Sequence, residues 1–195
     1  MRIYGNRQLK TIPGQTIRPT PARVREAVFN IWQGAIANCR WLDLCTGAGS
    51  MGAEALCRGA SLVVGIDKWS KSCSVVQQNW EMVAQPGQEF QVLRGDVVVR
   101  LKSLAGEKFD RIYFDPPYAS DLYQPVLDAI AKYQLLADEG ELAVEHSTHY
   151  WSGMATPARG IAIPTLEISR QKVYGNTAVT FYRRELGEWG VGSRE

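Results

Sequence analysis

Short apolar runs alternate with amphipathic stretches along most of the chain. Trp41-Leu42-Asp43-Leu44-Cys45, Leu62-Val63-Val64-Gly65-Ile66, Phe90-Gln91-Val92-Leu93, Phe109–Phe114 and Glu141–Glu145 have the length and residue types of buried strands. Helical stretches separate them. One leaves Ser50 towards Gly59, and one runs from about Ser70 to Ala84 and is broken by Pro86-Gly87. A third crosses Val97–Leu104, and a fourth is capped by Asp121 and continues through Leu136. Ahead of the first strand, Thr20-Pro21 predicts a helix start, with Thr20 as N-cap and the proline at the first helical position. Val24, Val28, Ile31 and Trp32 then share one apolar face, with Arg23 and Glu26 on the other side. Strands alternating with helices predict a parallel, doubly wound α/β sheet with helices on both faces. The chain then changes character. Leu166–Val173 and Thr177–Arg184 are β-rich and are joined by Tyr174-Gly175-Asn176, a hairpin signal. An antiparallel hairpin at the edge of the parallel strands makes a mixed, seven-stranded sheet.

Two loops in this framework carry candidate chemistry. The first strand runs into Thr46-Gly47-Ala48-Gly49-Ser50-Met51-Gly52 and then a helix. Glycines there permit a tight turn and close approach of backbone to a ligand at a helix N-terminus. The second strand ends in Asp67, a carboxylate placed to hold two vicinal ribose hydroxyls. Gly47, Gly49 and Gly52 satisfy G-x-G-x-x-G, and Asp67 follows about 20 residues on, so a nicotinamide dinucleotide must be weighed. Asp43, inside the preceding strand, has no place in that fingerprint. The pattern D-x-x-x-G-x-G instead resembles the S-adenosyl-L-methionine site of class I methyltransferases.

The other loop is Asp115-Pro116-Pro117-Tyr118, directly after Ile112-Tyr113-Phe114. Consecutive prolines fix two φ angles and remove two N–H donors, which leaves the Pro116 carbonyl free to face a pocket. With Asp115 it supplies two acceptors for an NH₂ group, and Tyr118 offers a stacking surface. A strand ending in this tetrapeptide resembles the catalytic motif of methyltransferases acting on exocyclic or amide nitrogens. A plain Pro-Pro turn is the other reading of these residues.

Composition adds bounds. The chain has 195 residues, enough for one domain with a substantial core, and its 45% hydrophobic and 22% charged fractions are ordinary for a globular protein. No apolar run approaches a membrane span, and Met1–Arg7 lacks the core of a signal peptide, so a cytoplasmic, membrane-free monomer is expected. Cys39, Cys45, Cys57 and Cys73 form no C-x-x-C pair; reduced thiols are expected and a metal is not. Net charge is only +2, but residues 1–30 carry Arg2, Arg7, Lys10, Arg18, Arg23 and Arg25 against Glu26 alone. That arm is therefore +5 and the remainder −3, which points to a polyanion docking at one end. Ile3, Tyr4, Leu9, Ile12 and Ile17 recur between the charges, as in a short hairpin that packs on something.

The resemblance then becomes specific. Arg2-Ile3-Tyr4-Gly5, Arg18-Pro19-Thr20 and Arg23-Val24-Arg25-Glu26-Ala27-Val28-Phe29-Asn30 resemble the N-terminus of the RsmD family, bacterial enzymes that methylate N2 of a guanine in 16S ribosomal RNA. Asp43–Gly52 with Glu54-Ala55-Leu56 is similar to that family's cofactor loop, and Phe114–Tyr118 to its catalytic loop. Lys172-Val173-Tyr174-Gly175 resembles its terminal hairpin. The likeness runs from Arg2 to about Glu185, and Cys45-Thr46 departs from the aromatic-small pair often seen there.

The resemblance implies a class I methyltransferase (Rossmann-like) domain over 1–185, with 1–30 a basic RNA-docking extension and 186–195 a flexible tail. It implies S-adenosyl-L-methionine held by Asp43, Thr46, Gly47, Ala48, Gly49, Asp67, Lys68, Asp96 and Val97. Asp43 and the glycine loop would take the methionine end, Asp67 the ribose and Asp96 the adenine amino group. It implies catalysis by Asp115, Pro116, Pro117 and Tyr118. RNA contacts would come from Arg2, Arg7, Lys10, Arg18, Thr20, Arg23 and Arg25, with 16S RNA presented in a small ribosomal subunit or its assembly intermediate. Bland roles compete: Asp43 could cap the loop, Asp67 could end a strand facing solvent, and Asp96 could cap the next helix. Asn79 is expected to face solvent or a neighbouring loop, His146 and His149 to lie at a rim or surface, and Trp69 and Trp80 to pack a helix. Trp151 and Trp189 carry no assigned role. Rival activities are a DNA adenine-N6 or cytosine-N4 methyltransferase, which usually needs a recognition insertion, and a protein glutamine methyltransferase, which usually has Asn in place of Asp115.

Overall fold

The computed structural model describes residues 1–12, 21–149 and 166–185. A hairpin opens the chain: β1 (Arg2–Ile3) pairs antiparallel with β2 (Arg7–Gln8) across a turn in which Gly5 takes φ +69°. Ile3 and Leu9 are buried in one core cluster with Val24, Val28, Phe29 and Trp32 of the next helical segment, so the arm is seated by apolar side chains between its charges. Arg18 and Thr20 lie outside the described residues. Helix α1 (Ala22–Ile31) begins with Pro21 at its N-cap position, one residue later than Thr20-Pro21 predicts.

The main sheet follows the expected alternation. Its strands are β3 (Arg40–Leu44), β4 (Leu62–Asp67), β5 (Glu89–Arg94), β6 (Phe109–Phe114), β7 (Leu136–Ser147), β8 (Leu166–Tyr174) and β9 (Thr177–Arg184). In space the order is β5-β4-β3-β6-β7-β9-β8. The first five are parallel, and β9 joins β7 antiparallel, with β8 antiparallel on the edge. Helices α2 (Ser50–Cys57), α3 (Ser70–Val83), α4 (Val97–Ser103) and α5 (Tyr123–Lys132) connect the parallel strands. This is the mixed seven-stranded Rossmann-like sheet that the apolar pattern predicts. Strand β7 starts five residues earlier than Glu141, because Leu136 is buried beside Phe109 as the first rung of the β6 ladder. That rung also ends α5 at Lys132 instead of Leu136.

Alternation along β3 explains the two cores. Trp41 faces α1, where it stacks on Phe29 at 5.3 Å and meets Trp32 edge-on at 5.4 Å. Leu42 and Leu44 face the other side, with Val97 and Leu101 of α4 and Val126, Leu127 and Ile130 of α5. The chain moves outward through β4 and β5, then returns to lay β6 on the opposite side of β3. Beyond the carboxyl ends of two such strands an open α/β sheet leaves a ligand crevice. Here those ends carry the glycine loop and the Asp-Pro-Pro-Tyr loop.

Candidate active site

Register brings the two loops together. Leu44 is paired with Phe114, so Cys45 and Asp115 leave the sheet side by side, and the Asp115 N–H donates to the Leu44 carbonyl at 3.3 Å. Two glycines shape the first loop differently. Gly47 has φ +55° and open space where a Cβ would stand; Gly49 has φ +74° and would drive a Cβ to 2.8 Å from the Trp80 ring nitrogen. Gly47 thus leaves open space beside the loop, and Gly49 is a close approach between loop and helix. Helix α3 fixes the loop from below: Trp80 Nε1–H donates to the Gly49 carbonyl and Asn79 Nδ2 to the Ala48 carbonyl, each at 2.8 Å.

Three acidic residues ring this loop. Asp67 is buried at the end of β4, where it accepts from the Gly47 N–H at 3.0 Å and the Trp69 N–H at 2.8 Å. Burial raises its carboxyl above the ordinary range against the pull of those two donors. Each oxygen of a carboxylate can accept more than one bond, so these contacts orient Asp67 and leave acceptor capacity for a diol. Asp43 lies deeper, 2% exposed, and accepts from the Gly52 N–H at 3.0 Å. Burial pushes its carboxyl up to about 8, and the neighbouring Asp67 adds to the shift. In this geometry Asp43 supports the loop and the first turn of α2. Asp96 is exposed and caps α4 through the Val99 N–H at 3.2 Å. Lys68 is exposed beside Asp67, Thr46 is buried in the loop, and Val97 is buried at the start of α4.

The second loop is anchored by a residue that sequence patterning passes over. Glu145 is 1% exposed on β7. It accepts from the Tyr118 hydroxyl at 2.8 Å and from the hydroxyl of Tyr113 on β6. Tyr118 also meets Thr177 Oγ1 at 3.0 Å, which ties the loop to the start of β9. Desolvation raises the Tyr118 phenol well above its ordinary value, so it stays neutral and can donate to Glu145. Pro116 is buried, Pro117 exposed and Asp115 half-buried at the crevice. A glutamate directly after the apolar run Leu142–Val144, on the same strand, was the available signal, since an acidic side chain is rarely buried without a partner.

The basic arm divides into two kinds of residue. Arg2 and Arg23 are exposed, and Arg23 lies over the Tyr174 ring at 5.8 Å. Arg7 donates to the Val83 carbonyl and Cys57 Sγ, both at 3.1 Å, and Lys10 Nζ donates to Gln78 at 2.6 Å; both therefore also seat the arm on α2 and α3. Arg25 corrects the expectation of an RNA contact. It is 3% exposed, bonds Glu54 at 2.7 Å and donates to the Arg2 carbonyl at 2.8 Å, because the inner face of α1 delivers it to a buried glutamate on α2.

Two further expectations change, and a third is settled between its alternatives. Asn79 faces the neighbouring glycine loop and not solvent: it is fully buried and bonded to Lys10 and Ala48. His146 is buried in β7 with Nε2 2.9 Å from Thr180 Oγ1, whereas His149 is exposed as expected. Trp69 is 59% exposed at the head of α3, while Trp80 packs as predicted. Arg183 and Arg184 of β9 pair with Glu167 and Asp138. Trp151, Trp189 and the 186–195 segment lie outside the described residues. Among the described residues no cluster of metal-ligating side chains occurs.

Comparison with known proteins identifies the family. The family model described as Conserved hypothetical protein 95 matches residues 1–183. YlbH of Bacillus subtilis (strain 168), assigned provisionally as an rRNA methyltransferase, is 30% identical over 184 residues, covering 91% of this chain and 94% of YlbH. Ribosomal RNA small subunit methyltransferase D of Escherichia coli (strain K12) is 29% identical over 194 residues, covering 95% of this chain and 90% of that protein. The solved structure of Escherichia coli yhhF, a provisionally assigned methyltransferase, superposes with a TM-score of 0.77 at 26% identity, covering 95% of this chain and 98% of that one. A match running from the basic hairpin through the last strand leaves no part of the described fold unaccounted for: the chain belongs to the Conserved hypothetical protein 95 family, the RsmD family of ribosomal RNA methyltransferases.

Proposed function

We propose that the protein transfers a methyl group from S-adenosyl-L-methionine to the exocyclic N2 amine of a guanine in 16S ribosomal RNA. One observation carries the reading: the Leu44–Phe114 register sets the Asp115-Pro116-Pro117-Tyr118 loop beside an open glycine loop at the carboxyl ends of β3 and β6. Family membership supports rRNA as the substrate class.

The residues fit the methyl donor. The open face of Gly47 and the buried carboxylate of Asp67 suit an adenosine bearing a vicinal diol, and Asp43 holds the loop in that shape from beneath. Asp96 and Val97, at the head of α4, border the adenine end. Asp96 already caps that helix with one oxygen, which leaves the other for the adenine amino group. When bound, the donor supplies an electrophilic sulfonium methyl.

The protein's own task is to orient a poor nucleophile. The lone pair of the guanine N2 is delocalised into the ring. Asp115 and the Pro116 carbonyl accept from its two N–H groups and favour a more pyramidal nitrogen, whose lone pair then faces the donor; as the bond to N2 formed, the methyl's bond to sulfur would break and one N2 proton would pass to Asp115 or to water. Most of the rate comes from orientation and electrostatic preorganisation of these acceptors. Tyr118 stacks on the base, its ring held by the bonds of its hydroxyl to Glu145 and Thr177. A paired base cannot reach the crevice, so the target is flipped out or already unpaired.

Tritiated methyl transfer to DNA, free 16S RNA and small ribosomal subunits, followed by nucleoside analysis, tests the whole reading. N2-methylguanosine in 16S RNA is the expected product. Label in N6-methyladenine or N4-methylcytosine, or on protein, would overturn it.

A further inference from the structure

We propose that Asn79 is a positioning residue that links the N-terminal arm to the donor loop, so that RNA docking on the arm and binding of the methyl donor reinforce each other. The inference rests on the functional reading above and concerns the regulation of that same site.

The geometry is specific. Asn79 is fully buried in the middle of α3 and every polar group of its carboxamide is used. Oδ1 accepts from the Lys10 N–H at 2.9 Å; Nδ2 donates to the Lys10 carbonyl at 3.1 Å and to the Ala48 carbonyl at 2.8 Å. The side chain thus imitates a strand partner for the arm on one side and grips the centre of the glycine loop on the other. Ala48 lies between Gly47 and Gly49, the two left-handed glycines that shape the donor cradle. Flanking contacts keep the arm beside this point: Lys10 Nζ bonds Gln78, one residue before Asn79, and Arg7 bonds the Val83 carbonyl at the end of the same helix.

Displacing the docked arm at Lys10 would have consequences for the loop. When Lys10 leaves, the buried carboxamide has an acceptor and a donor without partners, a costly condition that it relieves by rotating. Rotation releases Ala48, and the cradle loses one of its two supports from α3. A polyanion that orders the arm therefore favours the formed cradle, and a ligand in the cradle favours the docked arm. Such coupling is reciprocal by thermodynamic necessity and is commonly fivefold or more.

The test uses full-length protein, radiolabelled S-adenosylhomocysteine in equilibrium dialysis, and saturating 16S RNA transcript. In the wild type, RNA should tighten S-adenosylhomocysteine binding by about fivefold or more. Asn79→Ala should bring that ratio close to one. Lys10→Pro, which removes the N–H that reaches Asn79 together with the Nζ bond to Gln78, should do the same and serves if Asn79→Ala does not fold. A purely structural Asn79 would lower affinity in both conditions and leave the ratio intact. A wild-type ratio of one, or a wild-type ratio retained in either variant, overturns the link. Failure of the wild type to bind S-adenosylhomocysteine or RNA at all overturns the functional reading, and the link falls with it.

Discussion

Arg25→Ala separates a structural cation from a nucleic-acid contact. Arg25 sits in a basic arm, and charge alone assigns it to RNA. The fold assigns it to Glu54, at 2.7 Å, with both side chains at 3% exposure or less. Breaking a buried pair from one side costs about 3–5 kcal/mol, because the remaining charge is left uncompensated. Two features modify that figure here. Arg58 also bonds Glu54, at 2.8 Å, and still neutralises it in the variant. Against this, the Arg2 carbonyl loses the donor at 2.8 Å that ties the hairpin to α1. The two corrections have opposite signs and are each about 1–2 kcal/mol, so the expected loss stays at about 3–5 kcal/mol. Urea unfolding should show a lower midpoint with an unchanged slope. Under conditions where the variant remains folded, the salt dependence of its RNA affinity should match the wild type, because no phosphate contact has been removed. A loss under about 1 kcal/mol, together with a salt slope reduced by nearly one unit, would refute the reasoning and return Arg25 to the RNA interface. Pairing Arg25→Met with Glu54→Gln should recover part of the lost stability, since well-packed neutral side chains replace buried ion pairs at little cost.

The remaining predictions concern the crevice and the arm. Asp115→Ala should lower kcat by about 100-fold or more with donor affinity nearly unchanged, while Asp115→Asn keeps an acceptor oxygen and part of the rate; wild-type turnover in the alanine variant would overturn the acceptor role. Asp67→Ala should weaken binding of S-adenosylhomocysteine by about 1–3 kcal/mol in calorimetry. The carboxyl of Asp43, raised by burial to about 8, holds its proton more tightly in the folded than in the unfolded chain, so its contribution to stability is fully present below about pH 4 and lost as pH rises through 8. Asp43→Asn should therefore flatten the fall in stability between those limits, as read from denaturation midpoints at several pH values. Replacing Arg2, Arg18 and Arg23 together by Ala should flatten the salt slope of RNA binding, whereas an unchanged slope would move RNA docking to another surface.

What could be read from sequence, and what could not, divides by the distance over which each signal acts. The strands and most helix limits are local, carried by apolar runs a few residues long, and the two site loops are contiguous motifs. Strand pairing then brings those loops together without further information, since a parallel alternating pattern leaves few topologies. Arg25, Asn79 and Glu145 are different. Their partners stand 29, 69 and 27 positions away in Glu54, Lys10 and Tyr118. No periodicity reports such a pairing, and each residue type is common on solvated surfaces. Trp69 fails in the opposite direction, because hydrophobic character alone does not place a side chain inside.

These three residues share a physical pattern that bears on how the site works. Each is a polar group buried where leaving it unpaired would be costly, and each joins two segments that carry different parts of the proposed activity. Arg25 binds the hairpin to α2, Asn79 binds the arm to the donor loop, and Glu145 with Thr177 binds the acceptor loop to the terminal hairpin. Apolar packing could hold these segments against each other, but it tolerates small slides and rotations. A hydrogen bond loses most of its strength over a few tenths of an ångström or a few tens of degrees. Placing directional contacts at the joints and apolar ones in the two cores fixes the crevice more tightly than the sheet beneath it. Under the proposed function, a base stacked on Tyr118 and a donor over Gly47 would meet at an angle set by Glu145 and Asn79. Glu145→Gln should show this directly: the amide still accepts from one tyrosine but cannot accept from both, so methyl transfer should slow while S-adenosylhomocysteine affinity holds. Equal losses in both would mean that Glu145 supports the fold and not the angle.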